Sequence, residues 1–232
     1  MNAITPNLQV CFHRFNTIVS DKKIKPTKLT IGSKIELIKK AVPGLKILYE
    51  PLCTFYSLDK VVMPTNFGAV SKAYCKKDLD SEVMVKVINL ENVNAHIFLV
   101  VQGLYQLCRL NHKNICDIKS VLVDDQKLYL VMDFDGYVTL SDFILDNEKI
   151  EEDQAIIITQ QLLEIVQFLN ATDVCYRDLR PENILINPDT LEIKLPNFEF
   201  SSFYDENQSL KTKLGSAYYM APEVLSKDYN KE

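Results

Sequence analysis

The sequence predicts an α+β protein of two lobes, a small antiparallel β lobe followed by a helical one. Three observations carry this expectation. Short β-branched and aromatic runs, broken by turns, crowd residues 56 to 134. One long amphipathic stretch, residues 94 to 110, interrupts them. Beyond residue 136 the pattern turns helical, most clearly over residues 151 to 170.

In the β lobe, YSLDKVVM (56–63), AVSKAYC (69–75), EVMVKVIN (82–89), SVLVDD (120–125) and KLYLVMDF (127–134) read as five strands of one antiparallel sheet. NAHIFLVVQGLYQLCRL (94–110) is long and periodic enough to be a single helix. EEDQAIIITQQLLEIVQFLN (151–170) carries its acids at the N-terminal end, where the helix dipole favours them. The change of pattern places a hinge near Asp133 to Gly136, with a cleft behind it. Ahead of the sheet, SKIELIKKAVPG has Ser33 and Glu36 at capping-box spacing, then Ile35, Leu37, Ile38 and Ala41 before Pro43-Gly44. This is a short amphipathic helix expected to dock on the next domain. The expected division is a basic N-terminal extension (1–50), an N-lobe (51–134) and a C-lobe (135–232).

Composition sets outer bounds. The 232 residues suffice for one ordinary domain or two small lobes, and 47% hydrophobic with 25% charged content is that of a soluble globular protein. No apolar run reaches the ~18 to 20 residues of a membrane span. The N-terminus lacks a secretory pattern. Cysteines 11, 53, 75, 108, 116 and 175 form no C-x-x-C pair and are joined by only three histidines. That pattern argues for reduced buried thiols in a cytoplasmic or nuclear protein and against zinc. The net charge of −5 divides unevenly: residues 1–50 hold nine Lys/Arg against three acids, or +6, leaving −11 for the remainder. An ordinary solvated basic face is preferred to nucleic-acid or membrane binding.

YRDLRPENIL (176–185), preceded by a long helix and followed by a short hairpin and then GSAYYMAPE (215–223), resembles the eukaryotic protein kinases of the serine/threonine type. NFGAV, VMVK, LNHKNI and LYLVMDF occur in the matching order, so the resemblance covers roughly residues 56 to 232. It implies a bilobal fold that binds ATP in the cleft and acts on protein hydroxyls. It assigns Lys86 to the α- and β-phosphates, Asp178 to the substrate hydroxyl and Asn183 to Mg²⁺. Arg180 stands where a lysine usually faces the γ-phosphate. Val70 and Leu185 would sandwich the adenine, with Gly68, Met132 and Asp133 completing the nucleotide-binding set. Arg177 would pair with a phosphorylated activation segment, for which Ser201, Ser202, Tyr204, Ser209 and Thr212 are candidate acceptors. Phe198 would keep its place in an apolar spine with Leu107 and Tyr176.

Other positions depart from the family's pattern. Met63, Thr65 and Gly68 stand at the three glycines of the phosphate loop, so only the last glycine remains. Met84 replaces a small alanine over the adenine, where it either adapts or fills the pocket. Counting from His112, the glutamate that should hold the lysine falls on Gly103, and residues 92 to 116 contain no Asp or Glu. Lys86 is thus expected to lack an ion-pair partner, with Gln102 able to offer only a neutral hydrogen bond. Asn197-Phe198-Glu199 stands in place of D-F-G, so Asn197 is a neutral and weaker metal ligand than the usual aspartate. Glu199 is a remote candidate to reach the metal instead.

The expectation is therefore an inactive serine/threonine kinase fold that works by binding a protein partner, with ATP weakly held and Mg²⁺ in doubt. An active divergent kinase, favoured by Lys86, Asp178 and Asn183, is the second reading. Kinase C-lobes continue past A-P-E, whereas this chain ends at SKDYNKE. A truncated remnant is therefore the third reading, in which the apolar face of the 151–170 helix would lack its cover.

Overall fold

A computed structural model of the chain describes residues 29–134, 136–204, 217–226 and 229. Its first element is α1 (Ile31–Ala41). The N-cap is Thr30, whose hydroxyl accepts from the Ser33 amide at 3.2 Å, and not Ser33 as the capping-box spacing suggests. The helix opens three residues earlier because Thr30 already offers a hydroxyl to its free amides.

The sheet comprises β1 (Ile47–Leu48), β2 (Tyr56–Thr65), β3 (Gly68–Cys75), β4 (Asp78–Asn89), β5 (Ile118–Val123) and β6 (Lys127–Asp133), in the order β1-β5-β6-β4-β3-β2. The five expected strands are present and antiparallel. A sixth, β1, joins parallel to β5 by pairing Ile47 with Val121 and Leu48 with Leu122. This strand is too short to show a period of its own, so the sheet is mixed rather than purely antiparallel.

Both faces of β4 are covered, which explains its nearly unbroken apolar run. Val83 and Val85 pack outward with Leu52, Ala73, Leu122, Tyr129 and Val131. On the other face Met84 enters the cleft and Ile88 joins the main core, with Lys86 between them. Beneath this face runs α2 (Ile97–Arg109), on which α1 packs. Lys34 of α1 is buried, and its ammonium donates to the Leu90 carbonyl at 2.5 Å and to Asn94 Oδ1 at 2.7 Å.

The second lobe begins with β7 (Val138–Thr139) and α3 (Leu140–Asp146), then the long α4 (Glu152–Ala171). Glu151 and Gln154 form a reciprocal capping box at its start. The short strands β8 (Val174–Cys175), β9 (Leu185–Ile186), β10 (Ile193–Lys194) and β11 (Ser202–Phe203) follow, then α5 (Pro222–Ser226). Asn114 ties the lobes together: fully buried, it donates to Gln161 Oε1 at 3.0 Å and to the Ile193 carbonyl at 2.8 Å. On α4, Ile156, Ile157, Leu163 and Val166 face outward. No helix among the described residues is long and apolar enough to cross a membrane.

The thiols correct one expectation. The five described cysteines are free, but only Cys116 is buried, while Cys53 and Cys108 are exposed. Lacking any shared period, their burial could not be read from the sequence. Cys11, Ser209 and Thr212 lie outside the described residues.

Candidate active site

The site lies between the sheet and the loop that joins β8 to β9. That loop closes with a 3₁₀ turn, Pro181–Asn183, which draws Asn183 into the interior. Its amide group donates to the Asp178 carbonyl at 3.0 Å and also to the Asp178 carboxylate. Arg180 Nε stands 3.7 Å from the same carboxylate. Asp178, Arg180 and Asn183 are thus brought together.

Arg177, at φ +67°, turns its guanidinium toward the segment after Phe198. It donates to the Phe200 carbonyl at 2.6 Å and the Ser201 carbonyl at 3.3 Å. Ser201 is fully buried and its hydroxyl donates to the Phe198 carbonyl at 2.6 Å, so it is not available as a phosphate acceptor. Arg177 acts here as a latch on that backbone. Phe198 packs edge-on to Tyr176, with ring centroids 5.0 Å apart, in the core that also holds Leu107. Burial above all, then the charges of Asp178 and Glu199, hold the Tyr176 phenol well above its ordinary pKa.

The largest correction concerns Lys86. Its side chain is 1% exposed, and its ammonium donates to Asn197 Oδ1 at 2.6 Å and forms an ion pair with the Glu199 carboxylate. The lysine does have a carboxylate partner, supplied by the segment after β10 rather than by α2. Gln102 does not substitute: its Nε2 is buried with no hydrogen-bond partner among the described residues. Sequence reading missed this role of Glu199. The signal was two opposite departures, a glycine where a glutamate was expected and a glutamate where a glycine was expected.

The apolar side of the cleft is filled. Met63, Val70, Met84, Cys116, Met132, Tyr137 and Leu185 form one buried cluster. Val70, Met132 and Leu185 are each 0% exposed and Met63 and Met84 are 1% exposed, so these side chains pack against one another where the resemblance places the adenine. Burial pushes the Cys116 thiol up to about 12. Asp133 points outward and pairs with Lys119 instead of facing the cleft. Gly68 is explained by packing, because a Cβ there would lie 1.8 Å from the Val87 carbonyl oxygen. The β2–β3 hairpin carrying it folds down, with Phe67 against the His96 ring at 5.9 Å.

Between Asn66, Tyr176, Asp178, Asn197, Glu199 and Phe200 a cavity of about 10 Å³ remains, room for roughly one water molecule. With the side chains as they stand, several of the groups that the resemblance assigns to Mg²⁺ and ATP contact protein instead. Lys86 engages Asn197 Oδ1 and one oxygen of the Glu199 carboxylate, and apolar side chains pack where the resemblance places the adenine.

Comparison with known proteins agrees with this architecture. Residues 63–232 match the protein kinase domain family. The chain is 31% identical over 176 residues to the Probable serine/threonine-protein kinase fhkC of Dictyostelium discoideum, covering 74% of this chain and 29% of that protein. It is 30% identical over 172 residues to the serine/threonine-protein kinase RAD53 of Saccharomyces cerevisiae, covering 74% and 21%. It is also 30% identical over 167 residues to the serine/threonine-protein kinase ULK1 of Homo sapiens, covering 68% and 16%. The chain thus spans less than a third of the length of each of these relatives. With strands, catalytic-type loop and lysine in the matching order and the kinase-domain match over residues 63–232, the chain belongs to the eukaryotic protein kinase family.

Proposed function

We propose that this chain is a pseudokinase: a kinase fold whose cleft is closed by its own side chains and which works by binding a protein partner. The observation that carries this reading is the sealed cluster of Met63, Val70, Met84, Met132 and Leu185 where an adenine ring would sit. The capture of Lys86 by Asn197 and Glu199 supports it from the phosphate side. Phosphoryl transfer depends on positioning and charge neutralisation, and both ends of the nucleotide site are occupied by protein. Leu179, Tyr219 and Leu225 are large apolar side chains left exposed, which supports protein binding as the remaining activity.

A second reading, an active divergent serine/threonine kinase, is favoured by the retained Lys86, Asp178 and Asn183 and by the hydrogen bond from Asn183 to Asp178. Thermal-shift titration with ATP, with and without Mg²⁺, separates the two. No shift, or one indifferent to metal, is the expected result. Metal-dependent stabilisation together with phosphate incorporation that disappears in Asp178→Asn would overturn the pseudokinase reading.

A further inference from the structure

We propose that Glu199 is the positioning residue for Lys86, that Gly103 is the recess that admits it, and that the three act as a lock on the segment from Asn197 to Phe203. A carboxylate has in effect moved from α2 to the chain after Phe198, and the glycine has moved the other way. The two departures are sterically linked. A Cβ at position 103 would lie 2.9 Å from the Glu199 backbone nitrogen, 3.1 Å from its Cα and 3.1 Å from the Phe198 carbonyl carbon. Any side chain on α2 at this point would therefore push away the backbone that carries Glu199. With glycine there, the helix and the segment touch, and the Glu199 carboxylate reaches Lys86 from below.

The pair is not a surface accident. Lys86 is 1% and Glu199 8% exposed at the side chain, so each charge depends on the other for compensation. The same segment is held at three further points: Asn197 Oδ1 accepts from Lys86, Ser201 donates to the Phe198 carbonyl, and Arg177 donates to the Phe200 and Ser201 carbonyls. Phe198 is buried against Tyr176. The segment is thus anchored by a buried charge at its start and by Arg177 at its middle. In this chain Lys86 is an anchor for it.

This inference goes beyond the closed-cleft reading and does not depend on it. Nucleotide titration decides that reading, and lysine protection decides this one. The experiment is acylation of the folded chain with an N-hydroxysuccinimide ester, read lysine by lysine by peptide mass spectrometry, in wild type and Glu199→Gln. Lys34, buried on the Leu90 carbonyl far along the lobe, reports whether the fold is intact. The expected result is protection of Lys86 and Lys34 in wild type, with Lys86 alone becoming reactive in the variant. Lys86 reactive in wild type, or still protected in Glu199→Gln, would overturn the proposal. If both lysines become reactive in the variant, Lys86→Met/Glu199→Gln decides. Each single change should lower Tm by on the order of 10 °C by stranding a buried charge, and the pair should recover most of it. Additive losses in the double variant would overturn the lock.

Discussion

Met84 on β4 stands directly opposite Met132 on β6, and both side chains are buried in the cluster that closes the cleft. This pairing is set by the antiparallel register that also places Lys86 opposite Leu130. Thioether side chains are flexible enough to fill an irregular gap, and here two of them meet across one ladder position. Met84→Ala should therefore leave a cavity and cost about 2 to 5 kcal/mol. Urea unfolding would show this as a lower midpoint with an unchanged slope. A loss below about 0.5 kcal/mol would mean that the cleft is not packed around Met84.

Restoring a single ligand should not restore the site. Asn197→Asp supplies the carboxylate that the family places there, but Lys86 already engages this position and Glu199. The variant should show no Mg²⁺-dependent thermal shift with ATP, because the adenine slot remains filled by Met63 and Met84. Combining it with Met63→Gly, Met84→Ala and Glu199→Gly opens the slot and also releases Lys86 from its carboxylate, and a metal-dependent shift should then emerge. A clear shift in Asn197→Asp alone would mean that the metal ligand was the one defect.

Much of the fold was legible because it rests on local pattern. Five strands and the helix follow from periodicity and turn residues, although the α-helix itself opens at Ile97 after a 3₁₀ turn over Asn94–His96 rather than at residue 94. The catalytic-type loop was recognised through the resemblance of YRDLRPENIL to the protein kinases. What could not be read was pairing across distance. Lys86 and Glu199 are 113 residues apart in sequence, and nothing local at either position names the other. Taken singly, Gly103 and Glu199 were two losses, whereas in space they are one exchange. The extra strand β1 was missed because two residues carry no period, and its pairing with β5 is again long-range. Met63 was legible as a missing glycine but not as core, since burial of a lone methionine depends on what closes over it.

The N-terminal helix makes a test of its own. Lys34 reaches the Leu90 carbonyl and Asn94 from α1, and burial holds its ammonium below the usual lysine pKa despite the charge of Glu91. Lys34→Ala removes both hydrogen bonds and strands a buried carbonyl, at a cost of about 1 to 3 kcal/mol. Limited proteolysis should then cut the chain around α1 earlier than in wild type. Lys34→Met keeps the stem and removes the charge, so it should recover part of the loss. Equal cleavage in all three would show that α1 is held by its apolar face alone, through Ile35, Leu37, Ile38 and Ala41.

His112 should contribute to the loss of stability at acid pH. Its ring lies 4.7 Å from that of Phe168, and its Nδ1 accepts from the Asn114 amide at 3.1 Å. Burial first, and then the neighbouring charge of Lys113, lower its pKa from 6.5, against an opposing pull from Glu164. Because the folded value lies below the unfolded one, the unfolded chain takes up the proton first as pH falls. The stability that neutral His112 contributes is therefore complete above about 6.5 and is lost as pH drops from there through the folded pKa. His112→Asn keeps a short acceptor for the Asn114 amide but cannot titrate. Urea midpoints at about pH 7.5, 6.5 and 5.5 should therefore fall less steeply for the variant than for wild type, since other acid-sensitive groups are common to both. Parallel curves would show that His112 contributes nothing to the acid limb.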